Sequence, residues 1–199
     1  MDTIRQKSLE TGVPFWNVIQ SNAHFFYAEP YDAMMALQVY SALAYGSKGI
    51  GYFTYYTSPY SNSRLAPIDR FGYRTNTWEI IRNLNLQIHA LYPVYCRLKS
   101  VNVCHTDDFP RGNPPSKFVK ILNSNAPLLI GEFEDNDGKP YVMVVNKNLQ
   151  NSIELNLVFK GYEKSRIKVV SPYIKGDIEL FDEGRNWLSP GFGILLTVD

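Results

Sequence analysis

A change of hydrophobic period near the middle of the chain limits what it can fold into. Up to about residue 100, stretches with helical spacing alternate with short, near-continuous apolar runs. Beyond that point the sequence breaks into short alternating segments separated by turn residues. The aromatic residues follow the same division: 18 of the 28 lie in residues 1–100, as do 11 of the 14 tyrosines. Two periods imply two kinds of structure, so two domains are expected, 1–100 and 101–199. They would be joined by the turn-rich stretch Asp107-Asp108-Phe109-Pro110-Arg111-Gly112-Asn113-Pro114-Pro115.

In the first half Asp2–Glu10 is helical, with Gly12 placed to end it as a left-handed residue. The run from Pro14 to Gln20 (Phe15, Trp16, Asn17, Val18 and Ile19 between them) has the content of a buried strand. A polar loop, Ser21-Asn22-Ala23-His24, follows it. Pro30 precedes a helix from Tyr31 to about Tyr45 that Gly46 and Gly49 end. A second apolar strand spans Ile50–Tyr56, then a long loop, Thr57–Arg74. The next helix opens at Asn76 with Glu79 in capping-box-like spacing, and Pro93 closes or kinks it. Helices alternating with apolar strands are the pattern of parallel β/α units.

In the second half the strand candidates are Lys117–Leu122, Pro127–Glu134, Lys139–Asn146, Ser152–Phe159, Arg166–Ser171, Asp177–Phe181 and Gly193–Val198. Asn136-Asp137-Gly138 is a hairpin turn in which glycine supplies the positive φ. A turn accounts for the acids of Glu134–Asp137 better than a calcium loop, whose full ligand series is missing. About seven antiparallel strands predict a β-sandwich.

The order of these elements resembles the C-terminal part of a (β/α)8-barrel glycoside hydrolase. Ala42–Tyr55 is similar to the passage from last helix to last strand of β-galactosidase-like barrels. Ile68–Thr75 resembles the loop after the final strand, and Leu188–Leu196 the last strand of a sandwich that follows such barrels. The resemblance implies an α/β plus all-β chain: a partial (β/α)8 barrel, its last β/α units only, with a C-terminal antiparallel β-sandwich. A complete barrel takes about 250 residues, so the resemblance also implies a truncated product, with Met1 opening inside a helix.

Glycoside hydrolysis generally uses two carboxyl groups flanking the scissile bond, projecting from the C-terminal ends of barrel strands. On that face the candidates are Glu29, Asp32 and Asp69. Glu29 and Asp32 equally suit a helix N-terminus, and Asp69 a turn. The resemblance places a nucleophilic Glu at the end of the seventh strand, but Val18-Ile19-Gln20-Ser21-Asn22 carries no acid. It places the acid/base residue on a fourth strand that this chain lacks, so the isolated chain is expected to be inactive. Trp16, Phe25, Phe26, Tyr27, Tyr52, Tyr55, Tyr56 and Tyr60 gather around the strand ends, although Trp16, Tyr52 and Phe53 also suit a core. Sugar rings present apolar C–H faces fringed with hydroxyls, so Gln20, Asn22, His24, Tyr55, Tyr56 and Tyr60 are the expected carbohydrate-binding residues. The alternatives are a non-catalytic carbohydrate-binding module, or a structural fragment that self-associates through its incomplete barrel half.

The 20 basic and 19 acidic residues give a formal charge of +1, which argues against nucleic acid and polybasic membrane attachment. No apolar run reaches the ~18 residues of a membrane span, and MDTIRQKSLETG is not a signal peptide. Compartment therefore stays open; a secreted or periplasmic parent fits a sugar-degrading role. No cofactor is expected: histidine pairs with metal spacing, a phosphate loop and a Ser nucleophile elbow are all missing. Cys96 and Cys104 are too few for a disulfide framework.

Overall fold

The computed structural model describes residues 1–60, 62–107, 113–122, 126–162, 166–182 and 186–199. The expected linker falls largely on 108–112, outside the described residues.

Helix α1 (Asp2–Thr11) ends where Gly12 adopts φ 70° and donates its N–H to the Ser8 carbonyl. Its Arg5 is buried, with Nε donating to Ser100 Oγ at 2.8 Å. Strand β1 (Trp16–Gln20) and strand β2 (Gly49–Phe53) pair in parallel, Trp16 opposite Gly49 and Gln20 opposite Phe53. Between them runs helix α2 (Asp32–Ala44), which is apolar nearly all round because β1, a second helix and a sheet all pack on it. That second helix, α3 (Asn76–Tyr95), carries Pro93 in its last turn. Lys48 Nζ donates to the carbonyls of Tyr95, Cys96 and Leu98 beyond that end, at 3.3, 3.4 and 2.8 Å. A cation there complements the negative end of the helix dipole; burial lowers the Lys48 pKa.

The second half supplies β3 (Lys99–His105), β4 (Val119–Ile121), β5 (Leu128–Glu134), β6 (Pro140–Asn146) and β7 (Ile153–Glu154). It continues with β8 (Leu157–Phe159), β9 (Ile167–Val170), β10 (Ile178–Leu180), β11 (Trp187–Leu188) and β12 (Gly193–Val198). Six of these strands form an antiparallel sheet in the order β10-β9-β12-β6-β5-β3. Two small pairs, β4–β8 and β7–β11, stand apart from it. The Asn136-Asp137-Gly138 turn joins β5 to β6, with Gly138 at φ 80° and Asp135 Oδ1 accepting from the amides of Asp137 and Lys139.

Side chains alternate across a strand, so the sheet has two buried faces. Leu129, Phe133, Met143 and Val145 pack with α2 and α3 in one core. Leu128, Ile130, Val142 and Val144 pack with Leu155, Leu157 and Phe159 in the other. The first core joins residues of both sequence halves, and position 100/101 lies inside β3. Glu132 is fully buried on the second face. It accepts from Asn102 Nδ2 at 2.6 Å, Ser116 Oγ at 2.6 Å and the amides of Lys117 and Phe118 at 2.9 and 2.7 Å. A buried carboxylate is tolerated only when satisfied in this way; here it pins the segment before β4 against β5.

These observations correct the resemblance to a (β/α)8-barrel glycoside hydrolase. The described residues are mostly β, with three helices among them, and the large sheet is antiparallel. Barrel strands are covered on both faces, whereas the parallel β1–β2 pair leaves Trp16 and Val18 72% and 65% exposed. Helices α2 and α3, which a barrel would wrap around parallel strands, instead share a core with the antiparallel sheet. The partial barrel, and with it the α/β-plus-sandwich fold class and the TIM-barrel description, is therefore replaced by a helix-covered antiparallel β fold. Apolar strands between helices signal burial or stacking but do not state which sheet will cover the helices.

Helix α2 lies almost on the sheet backbone. A Cβ at Gly131 would stand 2.0 Å from the Ala44 carbonyl oxygen, and one at Gly191 1.9 Å from that of Ala33. At Gly193 it would meet the Tyr40 ring at 2.6 Å. Gly131→Ala should therefore destabilise the chain by about 1–3 kcal/mol or more, as overpacking does. Gly51→Ala, whose Cβ would meet Val18 Cγ2 at 3.8 Å, should stay within about 0.5 kcal/mol. Urea unfolding of both variants checks this; equal stabilities would refute close packing at Gly131.

The surroundings of His105 couple stability to pH. His105 Nδ1 lies 3.2 Å from Lys147 Nζ, and Nε2 lies 3.2 Å from Tyr45 Oη. Lys147 also donates to Asp107 Oδ1 at 2.6 Å. An ammonium can only donate, so Nδ1 accepts and the ring is neutral. Burial first, then Lys147, lower the His105 pKa, with Asp107 opposing. The unfolded chain then binds the proton more readily, so stability should fall as pH drops below the ordinary value of about 6.5 towards the lower folded value. His105→Gln should remove that part of the pH dependence; an unchanged thermal-midpoint profile would contradict it.

Candidate functional site

Strands β1 and β2 end side by side at Gln20 and Phe53 and release two loops, 21–31 and 54–75. The loops form one unit because their backbones are tied. Ser21 N donates to the Phe53 carbonyl at 2.8 Å, and Ala23 and Arg64 exchange reciprocal bonds of 2.9 Å. Asn22 is buried between them, donating from Nδ2 to Ser63 Oγ at 3.0 Å and accepting at Oδ1 from Thr54 N at 3.3 Å. Gln20 Nε2 donates to the carbonyls of Asn22 and Ala28 at 3.1 and 3.0 Å, closing the first loop on itself. Both amides thus build the platform on which the aromatic residues stand.

His24 is half-buried at the centre of an aromatic group. Its ring stacks on Tyr27 with centroids 4.7 Å apart and meets Phe53 and Phe25 edge-on at 5.5 and 5.9 Å. Such geometry is favourable for π systems. Phe25 adopts φ 48°, a left-handed conformation that is uncommon for a bulky residue. Asn62 holds it there: Oδ1 accepts from Phe25 N at 2.7 Å and Nδ2 donates to Phe25 O at 3.2 Å. The strained turn throws Phe26 fully into solvent, with Phe25 and Tyr27 largely exposed beside it. Backbone strain held by its surroundings gathers at functional positions.

On the second loop Tyr55, Tyr56 and Tyr60 are all exposed, Tyr60 the most at 81%. Tyr56 Oη donates to the Arg70 carbonyl at 3.1 Å, so its ring is fixed in place. Phe71 and Tyr73 extend the exposed aromatic surface. Among the residues expected in a core, Trp16 and Phe53 are exposed, while Tyr52 is half-buried with Oη donating to Asn85 Oδ1 at 2.7 Å.

The three candidate carboxylates have distinct local settings. Glu29 is ion-paired with Arg64 Nε at 2.8 Å. Asp69 Oδ1 accepts from the amides of Phe71 and Tyr73 at 2.9 and 2.8 Å, an Asx-type turn. Asp32 occupies the first turn of α2, where the helix dipole favours an acid. Each is engaged in the way a structural carboxylate is. Among the described residues no group of three His, Cys, Asp or Glu side chains is arranged to hold a metal ion, and no helix is long and apolar enough to cross a membrane.

No protein-family profile matches this chain, and no curated protein matches it to a significant degree. The glycoside-hydrolase likeness drawn from Ala42–Tyr55, Ile68–Thr75 and Leu188–Leu196 thus has no family support to set against the fold. Sequence reasoning passed over Asn62, Arg64, Phe71 and Tyr73. The Asp69-to-Tyr73 turn is readable from an Asp followed by Gly72. Nothing local marks Asn62, because its partner Phe25 is distant in sequence.

Proposed function

We propose that this chain binds carbohydrate without transforming it, through the aromatic surface that loops 21–31 and 54–75 present. One observation carries this: Phe25, Phe26 and Tyr27 stand exposed on a turn held at positive φ by Asn62, and the loop tied to theirs exposes Tyr55 and Tyr60. Exposing several aromatic rings has a free-energy cost of about 25 cal/mol per Å², and a fixed turn that enforces it favours a stacking role. A sugar ring offers the apolar face for stacking, and tyrosine hydroxyls meet its fringe. Glu29 and Asp69, already engaged with Arg64 and two amides, favour recognition over hydrolysis.

Neutral oligosaccharides on a glycan array should bind the chain. Tyr55→Ala and Tyr60→Ala should each weaken the best of them tenfold or more at unchanged thermal midpoint, and Asn62→Ala should do likewise by releasing Phe25. Aryl glycosides should not be turned over. Binding indifferent to all three substitutions would exclude this surface, and measurable turnover would exclude a non-catalytic role.

A second reading is favoured by the bare face of the β1–β2 pair. Trp16, Val18 and Phe53 share it with Gly49 and Gly51, and no further strand borders either edge among the described residues. The Trp16 ring lies over Gly49, where a Cβ would stand 2.3 Å from it, so the face is flat as well as apolar. A flat face with open edges suits a second copy of itself. Light scattering at micromolar concentration should find a dimer or larger species that Val18→Lys disperses; a monomer in the unsubstituted chain would dismiss this.

A further inference from the structure

A separate cleft opens where the central sheet comes apart. Strand β12 pairs with β6 from Gly193 onward, but its pairing with β9 begins only at Leu195. The pairing of β9 with β12 stops at Val170, while on the opposite edge Ser171 N still donates to the Asp177 carbonyl. Gly193 and Ile194 are left without β9 beside them, and a cavity of about 690 Å³ occupies the gap. That is the size of a small-molecule site.

Its lining has a definite chemistry. Tyr173 and Trp187 are 83% and 63% exposed, and Tyr40 and Phe192 form apolar wall. Gln87, Ser171, Ser189 and Glu179 supply hydrogen-bonding groups, and among the described residues no Lys, Arg or His lines the space. Among the described residues an anionic ligand would therefore meet a carboxylate and no compensating cation. Glu179 also interacts elsewhere within the chain. The described lining suits a neutral ligand with a flat apolar face and many hydroxyls.

The aromatic residues are held by rigid supports. Ser171 Oγ accepts from the amides of Tyr173 and Ile174 at 3.3 and 3.2 Å, fixing the turn that presents Tyr173. Gly176 N in the same turn donates to the Ala90 carbonyl of α3 at 3.1 Å. Trp187 sits on β11, paired to β7 on the other side of the sheet. Tyr40 Oη donates to Gln87 Oε1 at 2.5 Å, which leaves the Gln87 amide NH₂ to donate to a ligand. Such preorganisation lowers the ordering cost of binding.

We propose that this cleft is a neutral-saccharide site, with Trp187 and Tyr173 as stacking platforms and Gln87 and Glu179 bonding the hydroxyls. It stands on its own residues and does not rest on the loop surface at Tyr55 and Tyr60.

The test follows the Trp187 indole N–H resonance of the full chain, assigned with Trp187→Phe. The probes are hexasaccharides of β-1,4-linked glucose, β-1,4-linked mannose and β-1,3-linked glucose, with choline as the cationic control. At least one hexasaccharide should shift the resonance saturably. Tyr173→Ala should weaken that binding tenfold or more at unchanged thermal midpoint, and Tyr55→Ala with Tyr60→Ala should leave it intact. No shift with any hexasaccharide, a shift with choline alone, or a shift lost with the Tyr55 and Tyr60 variants would overturn the proposal. In the first two cases, array binding sensitive to Tyr55 and Tyr60 would still stand for the loop surface.

Discussion

The approach of helix α2 to the backbone of the antiparallel sheet sets the positions of the other elements. At Gly131 and Gly191 the sheet side offers no side chain where helix carbonyls pass, and at Gly193 it makes room for the Tyr40 ring. Protein interiors are packed as densely as organic crystals, so a helix lifted by one methyl would open voids along Phe133, Met143 and Val145. Because α2 sits low, β1 and α3 can close over it. Tyr95 Oη, donating to the carbonyls of Leu43 and Ser47 at 2.7 and 3.0 Å, ties α3 to the end of α2. The loops that carry the aromatic surface spring from β1 and β2, so their placement is inherited from this contact.

With α2 and α3 on one face, the other face of the sheet needs its own cover. Strands β4 and β8 provide it, and Glu132 secures them indirectly by holding the segment that leads into β4. Burial next to this carboxylate also pushes the Cys104 thiol up to about 12, which keeps it protonated and inert. The sheet is thus tightly covered at its centre, while its pairing fails at the start of β12. The cleft is a consequence of strand lengths: β12 outruns its contact with β9 by two residues.

Much of the local structure was legible in the sequence. Gly12 as a left-handed stop, the α2 and α3 helices, the two apolar strands and the turn at Gly138 all follow from local chemistry that packing did not override. Strand β3 was not foreseen, because its polar Lys99, Ser100 and Asn102 suit a linker until Asn102 finds Glu132 across a bulge. The run Ser152–Phe159 looked like one strand yet divides at Leu155, whose amide donates to the Asn186 carbonyl, so β7 and β8 take different partners. The larger error was architectural. Periodicity shows which face of an element is buried; it says nothing of the surface that buries it. Here α2 is covered by strands about a hundred residues further on. The aromatic content at the strand ends was visible, but the roles of Gln20 and Asn22 as struts depend on partners in another loop.

An exposed aromatic ring has different significance on a mobile support than on a fixed one. A mobile ring can fold back on apolar surface and recover part of its hydration cost, whereas a ring held outward cannot. In both proposed sites the support is fixed by a side chain bonding to backbone: Asn62 to Phe25, and Ser171 to Tyr173 and Ile174. Neither bond buries the ring it positions, and Phe25 stays largely exposed even with its edge against His24. A stacking ligand compensates for such exposure. Glu29 and Asp69 near the loop surface are bonded to Arg64 and to backbone amides, and the described lining of the cleft has one acid among neutral groups. Stacking surface with neutral donors and acceptors suits recognition of a sugar, whereas glycosidic cleavage generally uses two facing carboxyl groups.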